Sequence, residues 1–400
     1  MNRITTVHVV AVLAVVVGAF WLHSCTAPPP YRDLFTVGEI SAAPRLRVGI
    51  TKYLKVDAAT VSVEGPCTIE GVWMEKLPLS EVHHRSYGIK MGSYKFKDVD
   101  SVYIVPEQDG TLRVGPRIYH GNLLILRDEK TMTLVNEVDL ESYLKGVAGK
   151  EMSTRANPEA LKAQIIAART YAMYEVRGRT LRRVAGLPFD LFDDERSQVY
   201  GGMERETKGI SKLVDETRGM FMIWEDRLIK AFYSSTCGGH TEPAWLILGE
   251  GSKIPPLGGT PCIYCKGSKY YEWSASFERS EAEKILFPDR PDARISKIEI
   301  TKTLPGGHAL NVGVTLKNSS VVHSFHANNG FRRKLSPRRI RSTLWTKIES
   351  GEKEIRIHGR GFGHGAGMCQ VGAYRMADIG KSGVEILEHY YPGVEVRKLY

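Results

Sequence analysis

The sequence predicts an α+β fold, in which a β-rich N-terminal part precedes a region that carries a pair of helices. Residues 45–135 consist of short apolar runs rich in Val, Thr and Tyr and broken by Gly, Pro and Asp, a pattern typical of strands. Residues 137–174 instead repeat apolar positions at helical spacing. A glycine-rich segment, GRGFGHGAGMCQVGA, follows near the C-terminus. We therefore expect a β-rich region over 45–135 and a second region over 136–400.

The N-terminus has the composition of an export signal. Asn2-Arg3 precede an almost wholly apolar run over residues 7–22, and the run ends in Leu-His-Ser-Cys25. A positive start, a short apolar core and small residues at the end predict a signal peptide over residues 1–25. The ending resembles a bacterial lipobox, in which Cys25 becomes the lipidated N-terminus. An uncleaved membrane anchor with an incidental Cys25 is the alternative. Both predict an extracytoplasmic, membrane-anchored protein with residues 26–44 as an extended tether.

The net charge of +10 in 400 residues bears on the partner. In an exported protein, an anionic envelope polymer or lipid surface is a better match than nucleic acid, which we do not expect as a partner. A solvated charged face is the alternative explanation. The densest basic cluster comprises Arg332, Arg333, Lys334, Arg338, Arg339 and Arg341.

Within 45–135, six runs are predicted as strands, with Gln108-Asp109-Gly110 as a hairpin turn. No metal-binding or catalytic pattern stands out there. The runs are LRVGI, VSV, SVYIVP, LRVG, NLLILR and MTLVNEV.

The helical pair is the stretch around which the chain is organised. Asp139 is a suitable N-cap for the first helix. Asn157 caps the second, with Pro158 at its first position. Between the helices lies Glu151, at the mouth of the turn that joins them. We place the chemistry at Glu151, and the alternative for such a residue is a surface acid at a helix end.

The rest of the chain predicts short helices and strands in alternation. Residues 207–217 and 278–286 are typical of helices, and the glycine-rich segment runs into another. The segments GMFMIWED and LIKAFYSST predict a hairpin that turns at Glu225-Asp226-Arg227. Further strands are predicted at WSASF, ISKIEITKTL, HALNVGVTL, VVHSFHA and residues 354–358, and the chain closes with a helix and a strand.

An insertion around 237–265 carries a candidate metal site. Cys237, His240, Cys262 and Cys265 form a C-x-x-H…C-x-x-C set, and four such ligands make a closed structural Zn²⁺ site. Disulfides are the alternative, because exported proteins fold in an oxidising compartment. Cys67 and Cys369 are left over.

Three segments together resemble the SpoIID/LytB family, which includes stage II sporulation protein D and the amidase-enhancer proteins. They are YLKGVAGKEMS…PEALKAQIIAARTYA, FYSSTCGGHTE and GRGFGHGAGMCQVGA, in the family's order. The VGI and YHGNL segments look similar to its N-terminal portion, so the resemblance covers nearly everything after residue 45. It implies a SpoIID-like fold and a peptidoglycan partner. Zinc is not universal in the family, and Cys369 stands where its pattern usually has Ser, as a small buried substitute.

What the resemblance implies is a lytic transglycosylase that cleaves glycan strands stripped of their stem peptides, with Glu151 as the family's catalytic acid. Such an enzyme uses the C6 hydroxyl of N-acetylmuramic acid as nucleophile, so one carboxyl group serves first as acid and then as base. The product has a 1,6-anhydro end, and no cofactor is needed. Glu151 must stay partly protonated, which requires burial, and Lys150 must point away. The alternative is a non-catalytic glycan-binding protein that enhances a cell-wall amidase.

The glycine-rich loop is the expected second wall of the groove. Its glycines allow a close approach of backbone to ligand, and a dinucleotide site is disfavoured because no βαβ unit surrounds the loop. A zinc-dependent amidase is disfavoured as well, because a filled metal shell leaves no open position. His364 also fits a loop-holding histidine, and Arg169 and Tyr171 also fit a buried helix face. The candidate substrate-binding residues are His364, Gln370, Gly363, Gly365, Arg169 and Tyr171.

Overall fold

Two sheets built mainly from the first third of the chain, and a helical pair that follows them, confirm the predicted α+β class. The computed structural model describes residues 35–37, 40–107, 110–178, 187–317 and 319–400, all within the compact unit Asp33–Tyr400. The signal peptide, Cys25, much of the tether and the turn residues 108–109 lie outside the described residues. Within the described ranges, no helix is long and apolar enough to cross a membrane.

The larger sheet delivers the chain to the helical pair. In spatial order its strands are β14 (Leu191–Phe192), β2 (Arg45–Gly49), β13 (Met132–Asp139), β12 (Asn122–Arg127), β9 (Ser101–Pro106), β4 (Cys67–Ile69) and β5 (Val72–Met74). Neighbours are antiparallel except β14 and β2. Because β13 ends at Asp139, the first helix begins directly at the end of this sheet.

The second sheet contains strands that the sequence did not predict. In order it comprises β11 (Arg117–Tyr119), β10 (Thr111–Val114), β3 (Ala58–Glu64), β6 (Leu77–Arg85), β7 (Gly88–Met91) and β8 (Tyr94–Lys97). The predicted runs VSV and LRVG lie in β3 and β10. The strands β6 to β8 carry many polar residues, so their pairing, and not a local apolar pattern, marks them as strands.

The helical pair has the predicted caps. Helix α1 (Leu140–Glu151) begins after Asp139, whose carboxylate accepts hydrogen bonds from Glu141 N at 3.1 Å and Ser142 N at 3.0 Å. Helix α2 (Pro158–Arg177) begins after Asn157, whose side-chain oxygen accepts one from Glu159 N at 3.0 Å. Local capping chemistry therefore fixed both starts.

Helix α2 is the central element of the site region, because it packs against α1 and against two C-terminal helices, α7 (Gln370–Asp378) and α8 (Gly383–Tyr390). The other α-helices in the described part of the chain are short. In chain order they are α3 (Lys208–Glu216), α4 (Ala244–Ile247), α5 (Arg279–Leu286), α6 (Arg333–Leu335), α7 (Gln370–Asp378) and α8 (Gly383–Tyr390).

The predicted hairpin is only half right. A four-stranded sheet runs β1 (Phe35–Thr36), β16 (Arg227–Leu228), β15 (Met220–Trp224), β25 (Glu395–Lys398), and Glu225 and Asp226 turn with φ of 47° and 57°, as a primed two-residue hairpin requires. The second strand does not continue through LIKAFYSST. It ends at Leu228, and β17 (Tyr233–Ser234) pairs in parallel with the distant β24 (Met368–Cys369).

The segment between the Cys-rich loop and the glycine-rich loop builds a hydrophobic core of its own. It contains two three-stranded sheets. The strand order of the first is β18 (Glu272–Glu278), β23 (Glu354–Arg360) and β22 (Leu344–Ser350). The order of the second is β19 (Ile295–Thr303), β20 (Ala309–Leu316) and β21 (Val322–His326). The basic cluster lies here and is partly turned inward. Arg332 donates to the carbonyls of Ile340, Pro337 and Arg341, and the Arg339 guanidinium lies 4.1 Å from the Phe277 ring centroid.

Candidate active site around Glu151

Glu151 is the last residue of α1, where the helix ends and the chain turns towards α2. Glu151 as a whole is half-buried, and burial is the largest influence on the pKa of its carboxyl group. The following residue, Met152, is buried and extended, and its N–H bonds back to Ala148 O at 3.1 Å. The helix end therefore fixes the backbone from which the Glu151 carboxyl projects.

A loop that follows β14 contributes the first contact. The backbone N–H of Val199 donates to Glu151 Oε1 at 2.8 Å. This loop is itself fixed to the large sheet, because Asp193 accepts from Thr51 N at 2.9 Å and from the Arg117 side chain at 3.4 Å. A backbone donor of this kind orients the carboxyl group without adding a positive charge.

A chain of buried polar side chains leads to the same carboxyl group. The Tyr143 hydroxyl donates to Gln198 Oε1 at 3.1 Å, and Gln198 Nε2 donates to the Tyr233 hydroxyl at 2.9 Å. Tyr233 in turn forms a side-chain hydrogen bond with Glu151. Because the Tyr233 oxygen accepts a hydrogen bond from Gln198, the hydroxyl hydrogen of Tyr233 is available to donate to the Glu151 carboxyl group.

Gln370 joins the glycine-rich loop to the end of α1. It is 8% exposed, and its Nε2 donates to the backbone carbonyl of Glu151 and to Gln164 Oε1, both at 3.3 Å. Gln164 lies wholly buried on α2. Gln370 thus brings the glycine-rich segment next to Glu151, whereas its predicted contact with substrate stays a prediction.

The surroundings raise the pKa of the Glu151 carboxyl above its usual 4.5. Burial is the largest cause, because it penalises the charged form, and the exposed carboxylate of Glu195 raises the pKa further. Hydrogen bonds from Val199 N, Gln370 and Tyr233 act in the opposite direction without cancelling the effect. A larger share of Glu151 is thus protonated near neutral pH than for a carboxyl group in water.

Lys150 is paired elsewhere, as expected for a side chain that leaves Glu151 protonated. Its ammonium group lies 2.8 Å from the Glu204 carboxylate. Because the Lys150 ammonium group pairs with Glu204, it does not pair with Glu151, where a nearby positive charge would lower the pKa of the carboxyl group.

His364 holds the glycine-rich loop in place. Its Nδ1 accepts from Ala366 N at 3.1 Å, its ring also bonds to the Tyr233 backbone, and its ring centroid is 6.4 Å from that of Phe232. Burial lowers the pKa of His364 to about 4, so the imidazole is neutral at neutral pH. The structure thus favours the loop-holding role, and contact with a sugar stays a prediction.

The glycines of the loop make room for protein atoms. Gly365 has φ +76°, and a Cβ there would lie 2.7 Å from the His308 imidazole. A Cβ on Gly363 would lie 3.0 Å from Ser234 Cβ. Both positions therefore need glycine for packing, and their predicted approach to a ligand remains untested.

Arg169 corrects one prediction. It is wholly buried and donates to both carboxylate oxygens of Glu141, at 3.0 and 2.8 Å, which ties α2 to α1. With further bonds to the carbonyls of Val214 and Met220, its guanidinium has no face left for a glycan. The predicted substrate contact of Arg169 is wrong, because its position on α2 faces the core.

Tyr171 is also placed in the interior. It is 8% exposed, its ring centroid lies 6.2 Å from that of Phe232, and the Lys230 ammonium lies 5.7 Å from its ring centroid. It packs beside the strand that carries Tyr233. Gln370 has the same exposure, so a contact of Tyr171 with substrate stays a prediction.

The predicted set of metal ligands, Cys237, His240, Cys262 and Cys265, is wrong in one residue, because Cys369 takes the place of His240 in the cluster. Among the described residues, the Sγ atoms of Cys237, Cys262, Cys265 and Cys369 all lie within 4.8 Å of one another. His240 is outside this cluster, and its Nδ1 contacts the carbonyl of Thr241 instead. The turn through Gly238 and Gly239, with φ +81° and +129°, directs His240 away, while β24 brings in Cys369.

Sequence reasoning missed Val199, Gln198, Tyr143 and Tyr233. The first two lie in a polar, turn-rich stretch whose composition indicates only a loop. Tyr233 belongs to the FYSST segment used for the family resemblance, so that segment held the one available signal.

Comparison with known proteins adds independent information. Residues 128–224 match the model of the family described as "SpoIID: Stage II sporulation protein", a span that includes Glu151. The chain is 37% identical over 281 residues to an uncharacterised protein of Brachyspira hyodysenteriae, covering 70% of this chain and 72% of the other. It is 32% identical to the stage II sporulation protein D of Bacillus amyloliquefaciens (66% and 75% covered) and 28% identical to the amidase enhancer of Bacillus subtilis (62% and 39% covered).

Proposed function

Because this chain belongs to the SpoIID family, we propose that it is a peptidoglycan lytic transglycosylase in which Glu151 is the general acid and base. Family membership supports a role connected with the cell wall. The finer assignment rests on one observation: a half-buried glutamate whose carboxyl group has a raised pKa and is oriented by Val199 N and Tyr233.

In the first step, protonated Glu151 donates its proton to the oxygen of the glycosidic bond. That bond breaks as the C6 hydroxyl oxygen of the same N-acetylmuramic acid attacks C1. Burial raises the pKa of Glu151 and so increases the share of the enzyme that carries this proton, and the Val199 N–H stabilises the carboxylate that forms.

In the second half of the reaction, the Glu151 carboxylate accepts the proton of the C6 hydroxyl. The glutamate returns to its starting state, and the strand carries a 1,6-anhydro end. Water is not consumed, so a second carboxylate to activate it is unnecessary. The hydroxyl of Tyr233 steadies the charged form through its hydrogen bond to Glu151.

The proposal includes an extracytoplasmic location. The support is the sequence of residues 1–25, with Cys25 as the lipidated residue or an uncleaved anchor in its place. The substrate proposed is a glycan strand without stem peptides, and a cell-wall amidase is the enzyme expected to prepare it.

A second candidate function is favoured by the similarity to the Bacillus subtilis amidase enhancer. In that case the chain binds glycan and stimulates an amidase without cleaving anything. Only the transglycosylase requires a proton on Glu151.

The test compares the full chain with Glu151→Gln on intact and peptide-stripped glycan strands, with products analysed by mass. We expect 1,6-anhydro ends from the wild type and a loss of about 10²- to 10⁴-fold in the variant, the range for a general acid or base. Glu216→Gln is a matched control, because Glu216 also ends a helix but is exposed. Glycan binding and amidase stimulation without cleavage by the wild type would establish the second candidate instead.

A further inference from the structure

The four clustered sulfurs have the spacing of a single tetrahedral metal site. Ligands about 2.3 Å from a zinc ion lie about 3.8 Å from one another at the corners of a tetrahedron. All four Sγ atoms lie within 4.8 Å of one another, and Cys237 Sγ is 3.6 Å from Cys265 Sγ. A small contraction reaches tetrahedral geometry. A polynuclear cluster would hold its thiolates further apart, because metal and sulfide atoms lie between them.

Hydrogen-bond donors converge on these sulfurs. The backbone N–H groups of Cys237 and Gly372 both donate to Cys369 Sγ at 3.3 Å, and the Tyr390 hydroxyl lies 3.1 Å from Cys262 Sγ. Cys369 is also the N-cap of α7, where the helix dipole favours negative charge. Such an environment suits thiolates, because hydrogen bonds donated to the sulfur stabilise its negative charge and tune its strength as a ligand.

Glycine at position 372 is part of the same construction. A Cβ there would lie 2.9 Å from Cys262 Sγ and would overlap the Tyr390 hydroxyl. The close approach of α7 to the Cys-rich loop therefore depends on the absence of a side chain. This close approach explains why a glycine stands in the first turn of α7, where the helical backbone itself does not require one.

The arrangement is that of free thiols, and it does not match disulfides. The described cysteines form no disulfide, and 3.6 Å between two sulfurs is far from the bond length of about 2.05 Å. All four side chains are buried. Several thiolates buried together repel one another, and a divalent cation at their centre removes that repulsion.

We propose that Cys237, Cys262, Cys265 and Cys369 bind one structural Zn²⁺ ion. A closed tetrahedral set of four soft sulfur ligands is a donor set of structural zinc sites. Binding releases the thiol protons and changes no oxidation state. The fourth ligand comes from the glycine-rich segment, so the ion links two parts of the chain 104 residues apart (Cys265 and Cys369, 369 − 265).

The position of this ion gives it a second consequence, which rests on the proposed function. Cys369 ends β24 and precedes Gln370, while Cys237 follows β17, the strand that carries Tyr233. Gln370 and Tyr233 are the two side chains that bond to Glu151 from this side. The ion therefore fastens together the two parallel strands that position the acid.

The decisive experiment is metal analysis of the full chain, purified without chelator, alongside three variants. We expect one zinc per chain for the wild type and at least a tenfold weaker retention against a chelator for Cys369→Ser. His240→Ala and Cys67→Ser are matched controls that keep the metal, since Cys67 is buried in β4 outside the cluster. Loss of zinc from His240→Ala and retention by Cys369→Ser would overturn the assignment.

Cobalt substitution of the wild-type chain keeps the test valid even where Cys369→Ser misfolds. Four thiolates give a more intense sulfur-to-cobalt absorption band than three thiolates and one imidazole. No bound metal, or two disulfides detected by mass, would refute the site, whereas iron in place of zinc would refute the choice of metal. Zinc retention with no glycan cleavage would refute the transglycosylase and leave the metal site standing. A metal-free chain with unchanged melting temperature and pH profile would refute the fastening role.

Discussion

Replacement of Arg169 by Met tests whether this residue is structural or contacts substrate. Arg169 and Glu141 are 0% and 3% exposed, and two hydrogen bonds of 3.0 and 2.8 Å join them. The substitution keeps much of the side-chain volume and removes the charge. It leaves the Glu141 carboxylate buried without its cation.

The cost follows from that unpaired charge. Removal of one partner of a buried ion pair destabilises a protein by about 3–5 kcal/mol. The Tyr400 hydroxyl still donates to Glu141 Oε1 at 2.7 Å, so we expect the lower end, about 3 kcal/mol. A second substitution, Glu141→Met, should recover part of the loss, because no buried charge then remains without a partner.

Denaturant unfolding measures these free energies. Lys162→Met is the control on the same helix, because its bridges to Glu159 and Glu216 are partly exposed and worth about 1 kcal/mol or less. An Arg169→Met variant of normal stability that no longer binds glycan would refute the structural role. It would restore the substrate contact that the sequence suggested.

Three further predictions concern the site and its loop. Glu151→Gln should raise the melting temperature at pH 7. Burial raises the pKa of Glu151 in the folded state, so the stability that the protonated carboxyl group contributes is present below pH 4.5 and is lost as the pH rises through the folded-state pKa. The gain of the variant should therefore vanish below pH 4.5 in thermal melts, and a gain that is constant with pH would contradict this. Tyr233→Phe removes a hydrogen bond that lowers the pKa of Glu151, so the alkaline limb of the pH–rate profile should move to higher pH, and the maximal rate should fall by up to about tenfold. An alkaline limb at the same pH would exclude the contact. Gly367→Ala should destabilise the protein more than Gly380→Ala, for which we expect a cost of about 1–2 kcal/mol from the left-handed backbone alone. Both residues have a positive φ, +66° and +90°, but only at Gly367 would the added Cβ overlap Phe232 O. Equal losses of unfolding free energy in denaturant would rule out this close approach.

The elements that the sequence predicted well are those fixed by local chemistry. Asp139 and Asn157 cap their helices through bonds to residues two and three positions away, so the pattern is visible in a short window. Glu151 lies where those helix limits place it. The turn at Glu225 and Asp226 is equally local.

The errors arise where distant pairing decides the outcome. Cys369 replaces His240 because β24 pairs in parallel with β17, and no spacing within the Cys-rich loop contains that information. Arg169 faces inward because Glu141, on the preceding helix, is its partner. A charged residue on an otherwise apolar helix stripe was the signal that such a buried partner existed.

The strands of residues 77–97 illustrate the same limit. Polar residues interrupt their alternation, and each is stabilised by its neighbour in the sheet. The separate core of residues 273–357 was likewise hidden, because its strands looked like a continuation of the surrounding chain.

Glycan cleavage in heavy-oxygen water tests the central claim most directly. If Glu151 works alone and the C6 hydroxyl is the nucleophile, the new ends carry no heavy oxygen and are lighter by one water than hydrolysed ends. Glu195, the exposed carboxylate that acts on Glu151, is the neighbouring group that a hydrolytic mechanism would use. Products with one heavy oxygen per cleavage would contradict the single-carboxyl mechanism, whereas unlabelled anhydro ends that disappear in Glu151→Gln are the result we predict.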